Sequence, residues 1–81
     1  KYGVADVAVI RVAKGKGDEV MESLERRKDD RINEFLNYDV YDSYAIAMNA
    51  DIYQTGELVV MLMLDDETKT AARALIESYL P

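Results

Sequence analysis

The chain contains no cysteine, no histidine and no tryptophan, and only one proline. Without cysteine there is no disulfide to staple the fold, and a domain of 81 residues has a core of marginal size. Without cysteine and histidine the usual zinc and transition-metal ligand sets are excluded, and carboxylates alone suit only hard cations held in a defined loop. Asp65-Asp66-Glu67 lacks that loop spacing, so helix capping accounts for it better and no metal or other cofactor is expected. Basic residues are also scarce, 10 Lys and Arg against 16 Asp and Glu, and the net charge of −6 argues against nucleic acid, whose phosphates require clustered Lys and Arg. Residues 1–13 carry Asp6 and Arg11 and run into Gly15-Lys16-Gly17, which is neither a signal peptide nor a spanning helix. No membrane contact is expected, and the absence of cysteine fits a cytoplasmic location.

What is present reads as a single domain over residues 1–81. The segment Val4 to Ala13 is rich in β-branched residues and ends at the Gly-Lys-Gly turn, the pattern of a first strand. Gly15-Lys16-Gly17 lacks the spacing of a phosphate-binding loop. Asp18 and Glu19 suit a helix N-terminus, and Val20, Met21, Leu24, Ile32, Phe35 and Leu36 then recur at helical spacing. The face carrying Glu22, Glu25, Arg26, Asp29, Asp30 and Asn33 reads as solvated, and Lys28 lies near the apolar stripe with its stem along the core edge.

Alternation and aromatic content predict a second strand from Tyr38 to Met48, with Asn49 to Gly56 turning the chain. Leu58 to Leu64 is an uninterrupted apolar run of strand length, the expected centre of the sheet. A last helix, capped by Asp65 or Asp66, carries Ala71, Ala72, Leu75, Ile76, Tyr79 and Leu80 on one stripe. The expected fold is therefore α+β in the order βαββα, an antiparallel sheet with both helices on one face.

Alternation then divides the sheet. Ile10, Val12, Tyr44, Ile46, Leu58, Val60, Leu62 and Leu64 form the set assigned to the helices. Val7, Val9, Arg11, Tyr41, Ser43, Ala45, Val59, Met61 and Met63 form the other. The second set is too apolar to face water, so a sheet-on-sheet homodimer is expected to cover it.

The stretches VAVIRVAKGKGDEVMESL and ELVVMLMLDDETKTAARALI, each a strand leading through a turn into an amphipathic helix, resemble the ferredoxin-like domains that form dimeric α/β barrels, the group of the antibiotic-biosynthesis monooxygenase-like proteins. The resemblance implies a two-fold dimer and, among its members, cofactor-independent oxygenases, haem-degrading enzymes and isomerases. This chain departs from it in having no histidine, which removes the haem ligand or acid–base residue used by several members. The final strand of that pattern is likewise not among these residues.

Candidate chemistry centres on Arg11, a guanidinium in the middle of an apolar strand that must be paired or line a wet cavity. Lined by Arg11, Tyr41, Ser43 and Met61, such a cavity would suit a small anionic or polar aromatic ligand. The alternative is a structural ion pair of Arg11 with Asp6, Asp42 or a partner carboxylate. Tyrosine is the enriched aromatic, six against one phenylalanine, but on a strand Tyr41 points away from Tyr38 and Tyr44. The functions in view are a homodimeric small-molecule-binding or assembly module, with its pocket between sheet and helices or at the dimer interface; a cofactor-free oxygenase or isomerase; and an acidic protein-interaction domain.

Overall fold

The computed structural model describes residues 5–36 and 42–80. Asp6–Arg11 forms strand β1, and Gly17–Leu36 forms helix α1 after a turn that Gly15 enters at φ 84° and that Lys16 N–H closes on the Ala13 carbonyl at 3.0 Å. Ser43–Met48 is a short helix α2, Asp51–Thr55 is strand β2, Leu58–Met63 is strand β3 and Asp66–Ser78 is helix α3. The three strands make one antiparallel sheet in the order β1-β3-β2. Thr55 opposite Leu58 leaves a two-residue hairpin loop, Gly56-Glu57. Its first residue takes φ 58°, a value open to glycine at no steric cost. Asp65 caps α3 by accepting the Thr68 N–H at 2.8 Å.

The central strand β3 explains the architecture. Its residues are apolar at every position, so both faces must be kept from water, and each fully buried Val, Met or Leu contributes about 1.5–3 kcal/mol. Val59, Met61 and Met63 pack with Ala8 of β1, Leu24, Val20, Met21, Ile32 and Phe35 of α1, and Ala47 and Ile46 of α2. Val60, Leu62 and Leu64 pack on the opposite side with Tyr53 of β2 and with Ala72 and Ile76 of α3.

The expectation that both helices share one face is thus corrected. α1 and α2 fill one side, and α3 takes the other because the second apolar row of β3 would otherwise be bare. The face that a sheet-on-sheet contact would require is therefore partly occupied within the chain. The division into faces changes too. Val7, Val9 and Arg11 lie opposite Leu62, Val60 and Leu58, whereas Met61 lies opposite Ala8 on the α1 side.

The expected second strand is corrected in part. Of Tyr38 to Met48, residues 38–41 lie outside the described residues, and Ser43–Met48 is helical. Two alanines in SYAIAM favour the helix, and Ala47 is fully buried against the core. Asn49 ends it, with both its backbone N–H and its side-chain amide donating to the Ala45 carbonyl at 3.0 and 2.9 Å. The strand that pairs with β3 is instead DIYQT, inside the stretch expected to be a turn. Lys28 Nζ, expected to stay in water, donates to the Ala50 carbonyl at 3.0 Å and so ties α1 to the α2–β2 connection.

Candidate functional site

Arg11 closes β1 at the end of the sheet where the β2–β3 hairpin turns. Its Nη1 donates to Glu57 Oε1 at 2.7 Å, and both side chains are largely exposed. The pairing arises from register, since Val12 N–H donates to the Glu57 carbonyl at 2.8 Å and brings the hairpin loop beside the end of β1. Arg11, Gly56, Glu57, Leu58, Tyr79 and Leu80 together line a cavity of about 340 Å³. Its floor is Leu58 at the start of β3, one wall is the ion pair and the other is the C-terminal end of α3.

The four residues singled out from the sequence do not gather there. Met61 is fully buried on the α1 face, with the sheet between it and Arg11. Ser43 is buried at the start of α2, and Tyr41 lies outside the described residues. Among the carboxylates considered for Arg11, neither Asp6 nor Asp42 pairs with it. Asp6, at the other end of β1, accepts from Arg27 through both its oxygens and lies 3.6 Å from Arg31 Nε.

A second cluster, not found by sequence reasoning, sits where α3 crosses β2. The Arg73 guanidinium stacks 4.0 Å from the Tyr53 ring centroid and lies 3.3 Å from Asp51 Oδ2. Lys69 Nζ donates to the Asn49 carbonyl at 2.7 Å and lies 3.7 Å from Asp51 Oδ1. The Tyr53 hydroxyl is buried and has no hydrogen-bond partner among the described residues. Burial pushes its pKa above the ordinary tyrosine value, against the opposing pull of Arg73. These contacts clamp α3 to the β2 side of its face; the alternation in DIYQT was the available signal.

On the β1 side that face is bare. Val7 and Val9 are each 48% exposed, and on the adjoining flank of α3 Leu75 is 60% and Tyr79 81% exposed. The helix sits off-centre because its inward stripe, Lys69, Ala72, Ile76 and Leu80, has Arg73 on one side reaching Tyr53 and Leu75 and Tyr79 on the other. Among the described residues no helix is long and apolar enough to cross a membrane.

This geometry defines an α+β domain whose three-stranded antiparallel sheet is covered by helices on both faces, with one edge strand partly bare. A family model described as Domain of unknown function (DUF4358) matches residues 1–64, from before β1 to just past the end of β3, and the chain belongs to that family. No curated protein and no solved structure matches it.

Proposed function

We propose that the chain is an assembly module that acts as a homodimer, with the β1 side of the α3 face as its contact surface. The carrying observation is the coincidence of Val7, Val9, Leu75 and Tyr79, all well exposed, beside an edge of β1 that no other strand among the described residues pairs. Contiguous apolar patches of this kind on small domains mark contact surfaces. A small domain without disulfides gains stability most directly by covering such a patch with a second copy. Size-exclusion chromatography with light scattering, run across a dilution series from sub-millimolar to micromolar protein, tests it. The expected result is a dimer mass that falls towards the monomer on dilution; a monomer mass throughout would refute it.

The strand order β1-β3-β2 supports kinship with ferredoxin-like domains, whereas α3 on the face opposite α1 departs from that pattern. No reaction is assigned to the chain.

A second reading is favoured by the cavity beside Arg11, whose volume falls within the range of small-ligand sites. A guanidinium over an apolar floor with Tyr79 at the rim suits a small anionic aromatic. The expected outcome is a thermal shift with aromatic carboxylates such as benzoate that is lost in Arg11→Ala. An equal shift in both proteins would remove Arg11 from the site.

A further inference from the structure

We propose that the dimer forms edge to edge: β1 of one copy pairs antiparallel with β1 of the other about a two-fold axis at Val9, joining two three-stranded sheets into one of six. This rests on the homodimer reading and specifies its geometry. It begins with the direction of the backbone groups. Val12 N–H donates to the Glu57 carbonyl, which makes Val12 and Glu57 a hydrogen-bonded pair one step beyond Arg11 opposite Leu58. In an antiparallel ladder such pairs alternate, so Ala8 and Ile10 direct their N–H and C=O to β3. Val7, Val9 and Arg11 direct theirs outward, away from β3.

Within the strand itself, that outward edge has few of the usual guards against pairing. The strand DVAVIR has no proline, no lysine and no bulge, since its register with β3 runs unbroken from Asp6 to Arg11. Its two charges stand at its ends and are both satisfied within the chain, Asp6 by Arg27 and Arg31, and Arg11 by Glu57. Two copies of β1 can therefore approach without an unpaired like charge, despite a net charge of −6 on each chain.

The register follows from parity. A two-fold axis normal to the sheet keeps each face on its own side, so odd residues oppose odd residues. Centring on Val9 sets Val9 against Val9 and Val7 against Arg11, and every outward N–H and C=O of the strand finds a partner. Centring on Val7 or Ala8 sends residues past the start of β1, centring on Ile10 sends Val7 past its end, and centring on Arg11 opposes two guanidinia. On the α1 side the chosen register sets Ile10, itself 37% exposed, against the small Ala8. On the α3 side it packs Val9 on Val9 between the Leu75 and Tyr79 flanks of the two helices. It also brings Val7 of the second copy beside Arg11, at the side of the cavity. Taking residue areas of roughly 150–220 Å², the exposures of Val7, Val9, Ile10, Leu75 and Tyr79 amount to about 500 Å² per copy. Two copies bring about 1,000 Å², the lower bound for a specific interface, before any backbone is counted.

The test uses the full chain with Val9→Cys and, as a comparison, Leu75→Cys, each oxidised mildly at dimer-forming concentration, with sedimentation run on the unmodified protein. Opposed residues in a hydrogen-bonded antiparallel pair stand about 5.5 Å apart at Cα, within disulfide reach. Near-complete cross-linking of Val9→Cys with little of Leu75→Cys is expected. A dimer by sedimentation in which Val9→Cys stays reduced overturns the edge register and leaves the homodimer reading intact. A monomer by sedimentation overturns both. Val9→Pro removes an N–H that the intrachain ladder does not use and is expected to keep the monomer fold while raising the dimer Kd at least about tenfold. An unchanged Kd in folded Val9→Pro also overturns the register.

Discussion

Met61→Ala provides a severe test of the two-sided sheet. Met61 is fully buried in the middle of β3, on the side covered by α1 and α2, and its truncation leaves a cavity among Ala8, Leu24, Val59 and Met63. Such truncations of buried Met or Leu cost about 2–5 kcal/mol, because transfer and cavity terms add. A domain of this length has a total stability of roughly 4–12 kcal/mol, so the variant should lose a large fraction of it. With a urea m-value of about 1 kcal/mol/M for a small domain, the midpoint should fall by about 2 M or more. Circular dichroism through a urea titration reads this directly, and a double-mutant cycle localises it. Met61→Ala should couple to Leu24→Ala by at least about 0.5 kcal/mol and be additive with Ile76→Ala within about 0.5 kcal/mol, since Ile76 lies across the sheet. A cost below about 1 kcal/mol, or coupling to Ile76 in place of Leu24, would refute the placement of α1 and α3 on opposite faces.

Three further outcomes follow from particular contacts. Tyr53→Phe removes a buried hydroxyl that has no partner among the described residues, so it should leave stability unchanged or raise it by about 1 kcal/mol, measured by the same titration. Lys28→Met should cost about 1 kcal/mol through the lost bond to the Ala50 carbonyl, and hydrogen exchange should localise the loosening to the α2–β2 connection. The Thr68 N–H holds the Asp65 carboxyl below its ordinary pKa, so its stabilising effect is complete at neutral pH and is lost as pH falls through the acid range. Asp65→Ala should therefore have a lower Tm than the parent at neutral pH and the same Tm near pH 2, where the parent has lost the same cap. A gap that persists near pH 2 would remove the carboxylate as its source.

The sequence made some elements legible and hid others for definable reasons. β1, α1, β3 and α3 were readable because each carries a long or chemically punctuated pattern: the Gly15 turn, the heptad-like stripe of α1, the unbroken run of β3 and the cap at Asp65. Around Ser43–Met48 the sequence pattern points to a strand, because Tyr44, Ile46 and Met48 alternate with small residues. In six residues a helix and a strand leave similar traces. A strand assigned there leaves DIYQT as a turn, although Ile52, Tyr53 and Thr55 are good strand formers.

At the candidate site, Arg11 is identifiable as a charge within an apolar strand, but the sequence does not reveal that Met61 lies on the other side of the sheet. Alternation fixes faces within one strand only, and register, which links strands, is set by the hairpin and by Val12 opposite Glu57. The side of the sheet taken by α3 was equally hidden, because the apolar run of β3 asks for cover on both faces without saying which helix supplies it.

The assembly proposal is tested most directly by amide hydrogen exchange along β1, read residue by residue at two protein concentrations. The N–H groups of Ala8 and Ile10, which face β3, should be protected at both. Those of Val7, Val9 and Arg11 should be protected at high concentration and exchange freely on dilution. Free exchange of these three outward amides at every concentration would contradict an assembly built on this edge.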